Sequence, residues 1–288
     1  NMKHILWPLM LFIFSCGGEE QVGSAEAAEE VSSDIEEVVE ASDEIELDDN
    51  GEEYGDGEMD HTRVLACNIG TYQDIAVMVI KYDFDEVADI ARIDGYYFYV
   101  KNQKDLKLTG QEDVLNNHVM LDEYWKDKQT GYMEFTTTTS EISGFWSPSP
   151  NSDDQQHFSA EELYSGDPYE LTVAITNGKY EDAHQVMDLA ADNEEEMYSD
   201  VVDDLNVSFV GEDYLVFDYH VTATNFHIGS IHGIAQYSGT DQYKWEDEDG
   251  FILTFNIEDD RIIVESENYE QMTYGGMNVH FGGTYLKK

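Results

Sequence analysis

Residues 75–82 read IAVMVIKY, residues 95–100 read GYYFYV and residues 131–137 read GYMEFTT. β-Branched and aromatic side chains crowd these runs, and glycine or polar turn residues bound them. Such side chains suit a pleated, half-buried surface, so each run reads as a strand. Working outward, 106–109 (LKLT), 119–124 (VMLDEY) and 141–146 (EISGFW) repeat the pattern, with turns at 102–104 and 126–130. Strands this close in sequence pair most simply as hairpins, which predicts an antiparallel meander over 62–150. Residues 84–91 read as a short helical or irregular link.

The second half continues in the same style. Residues 169–175 (YELTVAI) alternate and run into an Asn177-Gly178 turn. Residues 205–210 and 214–222 form a hairpin across a GED turn, and 228–237, 242–245, 251–257, 261–266 and 279–286 extend the β pattern. Residues 151–165 are polar and read as a linker. Residues 184–198 set Val186, Met187, Leu189, Ala190 and Ala191 among acids, which predicts a helix with an acidic outer face. The expected fold class is mainly β: two small antiparallel meander or barrel-like domains, 62–150 and 151–288, with one or two short helices.

Ahead of them stands a different kind of sequence. Residues 2–16 read MKHILWPLMLFIFSC, with an apolar run over 5–14 broken only by Pro8. Ten helical residues span about 15 Å, half of a bilayer core, so 1–15 reads as a signal peptide and not as a membrane span. Ser15, Cys16 and Gly17 resemble a bacterial lipobox. The resemblance implies cleavage before Cys16 and a diacylglycerol anchor on its sulfur, in the outer membrane. An ordinary secretory signal with an incidental cysteine is the alternative. Residues 16–61 then form an acidic tether; 17–60 hold 19 Asp+Glu and no Lys or Arg. Self-repulsion and scarce aromatics predict a disordered, extended spacer. Glu19 and Glu20 after two glycines partly resemble the surface-export signals of Bacteroidetes-type lipoproteins. ELDDNG at 46–51 matches the first half of an EF-hand loop, but the twelfth position, where a bidentate Glu belongs, is Gly57.

The charge narrows the partners. The 288 residues carry 63 Asp+Glu against 14 Lys+Arg, a formal net charge of −49. Residues 61–288 alone hold 44 acids against 13 bases. Nucleic acid is excluded as a partner, because phosphate binding needs clustered cations. The same field steers basic proteins inward, so a cationic protein partner is expected.

Two stretches resemble modules of exported bacterial proteins. GYYFY at 95–99, LKLTG at 106–110, MLDE at 120–123, TGYMEF at 130–135 and GFW at 144–146 resemble a β-meander module of exported proteins with no assigned reaction. IHGIA at 231–235, FILTF at 251–255, IIVE at 262–265, GMN at 276–278 and FGGTY at 281–285 resemble a C-terminal β module. That module occurs in lipoproteins and in proteins associated with lysozyme inhibition, which implies a β fold and an envelope role. Its usual cysteine staples are missing here, since no cysteine follows Cys67.

Tyr97, Tyr99, Tyr132 and Trp146 are the candidate binding face. Alternation puts Tyr97 and Tyr99 on one side of their strand and Tyr96 and Phe98 on the other. The competing reading is cross-strand aromatic packing that only stabilises the sheet. His220, His227 and His232 would bind zinc if they converged, and are otherwise scattered structural residues. Cys67 reads as a small core residue. No nucleophile elbow, zinc-protease motif or phosphate loop is present in the sequence, and no catalytic residue or cofactor is assigned. The expected function is a non-enzymatic envelope lipoprotein presenting a β-rich binding surface to a cationic protein such as a lysozyme-like enzyme. A glycan-binding or glycan-cleaving envelope protein, and an accessory subunit of an outer-membrane complex, are the alternatives.

Overall fold

A computed structural model describes residues 61–70, 74–84, 89–138, 142–166, 175–187, 198–275 and 279–288. Cys16, the signal peptide, the acidic tether with its EF-hand-like stretch, and the GMN of the C-terminal signature lie outside the described residues.

The first barrel comprises β1 (His61–Ile69), β2 (Asp74–Phe84), β3 (Ile90–Tyr99), β4 (Leu106–Asp113), β5 (His118–Trp125), β6 (Lys128–Thr137), β7 (Ile142–Ser147) and β8 (Gln156–Gly166). Each strand runs antiparallel to the one before it, and β8 returns to β1 with Phe158 opposite Ile69. β8 corrects the expectation of a linker over 151–165, and carries the first domain past residue 150. A closed barrel leaves no unpaired edge, so a polar strand suffices to finish it.

The second barrel comprises β9 (Ile175–Met187), β10 (Tyr198–Val210), β11 (Tyr214–Ala223), β12 (His227–Tyr237), β13 (Gln242–Glu246), β14 (Ile252–Ile257), β15 (Arg261–Glu267) and β16 (Gly283–Lys287). Its closure is made by β16 on β9, with Leu286 opposite Glu181. The helix expected over 184–198 is not what forms at either end of that segment. Residues 184–187 finish β9, Tyr198 opens β10, and the two strands pair with His184 opposite Val201 and Met187 opposite Tyr198. Helical structure among the described residues amounts to two single 3-10 turns, Thr224–Phe226 and Tyr269–Gln271.

Alternation then sorts the side chains. Ala76, Met78 and Ile80 of β2 point inward and pack with Leu65, Tyr97, Leu121, Met133, Phe135 and Phe158. Ile75, Val77 and Val79 point outward, yet they too are buried, against Phe98, Leu163 and, from the second barrel, Val210 and Val216. The unbroken apolar run of β2 has this cause: the strand is covered on both faces. Around that seam Gln103 Nε2 donates to the Gly178 carbonyl at 3.0 Å, and Lys179 Nζ donates to the Lys101 carbonyl at 3.1 Å. The second interior is aromatic, built on Phe217, Tyr219, Phe251, Phe255, Phe281 and Tyr285. Eight strands enclose a space that side chains can just fill, so both barrels are packed cores and not channels. No helix among the described residues is long and apolar enough to cross a membrane.

Candidate functional site

The first barrel has two unlike ends, one sealed and one open. At the sealed end, alternation brings Tyr97, Tyr99 and Trp146 inward around Glu123. The Glu123 carboxylate is 4 % exposed and accepts three hydrogen bonds. Tyr97 Oη donates to Oε2, Trp146 Nε1 donates to Oε2 at 2.9 Å, and Thr130 Oγ1 donates to Oε1 at 2.6 Å. Burial first, then the neighbouring Tyr99 and Glu123, push the Tyr97 hydroxyl far above its ordinary range, so it remains a donor. The Tyr97 and Tyr99 rings meet edge to face at 5.6 Å. Gly131 is what lets the indole lie here: a Cβ at that position would stand 2.5 Å from Trp146 Nε1.

Of the four residues expected to form a binding face, three therefore gather, but as a hydrogen-bonded floor under the core. Tyr132 stands apart on the outer surface, where its hydroxyl donates to Glu134 Oε2 at 3.3 Å. The opposite side of β3 is no free surface either, since Phe98 is buried in the seam between the barrels and Tyr96 packs beside it. Cross-strand packing is what these aromatics do.

The open end is a cavity of about 530 Å³ whose lining includes His61, Arg63, Tyr82, Phe84, Glu112 and Glu162. These side chains come from the strand ends, where the inward positions of β1, β2, β4 and β8 continue past the apolar core. Arg63 forms an ion pair with Glu162. Burial opposes the guanidinium's charge, but Tyr82 and Glu162 outweigh it and hold the group above its ordinary value. Glu112 is 8 % exposed and accepts one hydrogen bond, from Thr137 Oγ1 at 2.9 Å. Tyr82 is 1 % exposed, and its hydroxyl faces the Arg63 guanidinium. Burial, then Glu112, raises that hydroxyl's pKa, so it stays protonated. The Tyr82 and Phe84 rings stack at 5.7 Å and 10°. None of these residues was singled out from sequence. The available signal was a polar residue on an inward position at the end of an apolar strand, as at Arg63 and Tyr82.

The second barrel has a smaller polar mouth of about 310 Å³, with Asp182, His184, Asp203 and His280 in its wall. Asp203 Oδ1 accepts from the Thr222 amide at 2.7 Å, and its Oδ2 lies 3.8 Å from His184 Nδ1. His184 Nε2 sits 3.1 Å from the Thr222 carbonyl, which can only accept, so Nε2 carries the proton. Burial raises the Asp203 pKa, against the lowering by the Thr222 amide and His184. Beneath, the Tyr219 and Tyr285 hydroxyls meet at 2.5 Å.

The three histidines do not converge. His232 sits opposite Asp218 on the neighbouring strand, and His220 Nε2 lies 2.9 Å from Asp218 Oδ1, but His227 is opposite Ala223 at the hairpin's far end. Among the described residues no group of three His, Cys, Asp or Glu is placed to hold a metal ion. Cys67 is fully buried and burial pushes its thiol far up, so it is a core residue and no nucleophile. In the 247–250 turn Asp247 Oδ1 accepts from the amides of Asp249 at 3.0 Å and Phe251 at 2.7 Å.

Comparison of the chain with protein-family models, with curated proteins and with solved structures gives no match.

Proposed function

We propose that this chain is a non-enzymatic lipoprotein of a bacterial cell envelope, held in the outer membrane through Cys16, whose barrels bind a cationic protein. The observation that carries the reading is where the carboxylates stand. Glu112 and Glu162 line the first mouth, Asp182 and Asp203 line the second, and the body around them holds 44 acids against 13 bases. Filled interiors leave the mouths and outer faces as the surfaces on which a partner can act. A negative field of this size accelerates encounter with basic proteins and weakens as salt screens it. A lysozyme-like enzyme is the kind of partner that fits, given the resemblance of the C-terminal stretch to modules of lysozyme-inhibitor-associated proteins. The anchor rests on Ser15, Cys16 and Gly17.

Calorimetric titration with hen egg-white lysozyme tests the partner. The expected result is binding at low ionic strength that weakens steadily as salt is added; absence of binding at low salt contradicts it. Radiolabelled palmitate fed to expressing cells tests the anchor, which requires label on the wild-type chain and none on Cys16→Ala.

A further inference from the structure

We infer that the mouth of the first barrel is a primary-ammonium site, made for the tip of a lysine side chain on the cationic partner. The inference rests on the partner reading above and names the group that the partner inserts.

The first argument is charge. The lining of this mouth carries one guanidinium, Arg63, three carboxylates, Glu112, Glu161 and Glu162, and the imidazole of His61, whose Nε2 lies 2.9 Å from Ser165 Oγ. Arg63 and Glu162 satisfy each other as an ion pair. Of the carboxylates left, Glu112 is nine-tenths buried, with a threonine hydroxyl as its hydrogen-bond donor and no ion pair among the described residues. A buried carboxylate without a countercharge is costly, and an arriving cation removes that cost.

The second argument is hydrogen bonding. An ammonium has three N–H donors and no acceptor. Glu112 offers carboxylate oxygen, and the Tyr82 hydroxyl oxygen, which faces Arg63 in the same cavity wall, keeps a lone pair. Thr137 Oγ1 lines the same wall and keeps lone pairs after donating to Glu112.

The third is the shape of the apolar part. Phe84 is 38 % exposed at the rim and stacks on Tyr82 below it. An aromatic pair leading down to a carboxylate suits a methylene stem with a charged tip, the amphipathic form of lysine. A guanidinium fits worse. It is bulkier than an ammonium and would have to enter beside the Arg63 guanidinium that already lines this mouth. An anion would face Glu112 and compete with Glu162 for Arg63.

The test uses the full chain, titrated by calorimetry with Nα-acetyl-lysine methylamide, Nα-acetyl-arginine methylamide and cadaverine, and with native and lysine-acetylated lysozyme. The site predicts that the lysine compound binds and the arginine compound binds more weakly. Glu112→Gln, an isosteric change, should weaken the lysine compound by roughly thirtyfold or more, the loss expected when one member of a buried charge pair is removed. Phe84→Ala, at the exposed rim, should weaken it without disturbing the fold, and acetylated lysozyme should bind less tightly than native. No binding of the lysine compound, or equal binding to Glu112→Gln, overturns the inference. Cadaverine binding without any loss on lysozyme acetylation assigns the site to a free amine and overturns the lysine assignment. Lysozyme binding equally to wild type and Glu112→Gln preserves the partner and removes this site; binding of the lysine compound without lysozyme preserves the site and removes that partner.

Discussion

Trp146 donates from its indole nitrogen to Glu123 Oε2 at 2.9 Å, across the closed end of the first barrel. The bond joins β7 to β5 through the interior, where no backbone ladder connects them. It makes a buried carboxylate the centre of a floor whose other two donors, Tyr97 and Thr130, come from β3 and β6.

Replacing Glu123 with alanine leaves the buried Tyr97 hydroxyl and the half-buried Trp146 and Thr130 donors without their acceptor. A buried orphan costs about 1–3 kcal/mol and a half-buried one less, so Glu123→Ala should destabilise the chain by roughly 2–3 kcal/mol. Glu123→Gln keeps an acceptor oxygen and should cost less. Urea unfolding followed by tryptophan fluorescence measures both, and equal losses would show that the three bonds to the carboxylate contribute little.

Gly131→Ala attacks the same floor from the other side. Its Cβ would fall 2.5 Å from Trp146 Nε1, so the indole must leave Glu123. The expected outcome is a destabilised chain with a shifted tryptophan emission maximum. An unchanged spectrum would contradict the packing described.

His220 and His232 flank Asp218 and should titrate in opposite directions. The hydrogen bond to Asp218 is the largest cause raising His220 above 6.5, whereas burial is the largest cause lowering His232 below 6.5. For His220 the folded state holds the proton more tightly. Its contribution is fully present below about pH 6.5, the unfolded value, and is lost as pH rises through the raised folded pKa. For His232 the unfolded state takes the proton first, so stability falls as pH drops below about 6.5. Imidazole resonances followed by NMR should place His220 above His232, and Asp218→Asn should bring His220 down.

Val216 is fully buried in the seam between the barrels, beside the outward valines of β2. Val216→Lys places a charge there without a partner, at a cost of about 3 kcal/mol or more. Because the seam and not either interior is damaged, differential scanning calorimetry should show one transition splitting into two. A single transition at a lower temperature would mean that the barrels do not fold as separate cores.

The β character and the hairpin order were legible because most strands alternate, and alternation also put Tyr97 and Tyr99 on one side. Two regions were not. β8 buries only Phe158 and Leu163, and its bulge against β1 breaks the alternation further. Closure of the barrel recruits it, which is a non-local effect that no window of residues contains. β9 and β10 are long strands whose outer parts are acidic, and β9 fully buries little beyond Tyr180 and Val186. Residues 186–191 therefore matched a helical stripe better than a strand. The aromatic set stayed open between a binding face and cross-strand packing because sequence shows which residues share a side, and not whether that side is inside or outside. The mouth escaped notice because Arg63, Tyr82 and Glu112 are far apart in the chain and meet only when eight strands close.

The most direct test is a two-dimensional NMR titration of the full chain with Nα-acetyl-lysine methylamide, watching both ends of the first barrel at once. An open mouth and a sealed floor predict that the Tyr82 and Phe84 ring resonances move and saturate while the Trp146 indole N–H stays fixed. A moving Trp146 indole beside unmoved Tyr82 and Phe84 rings would place the ligand at the opposite end and contradict the account.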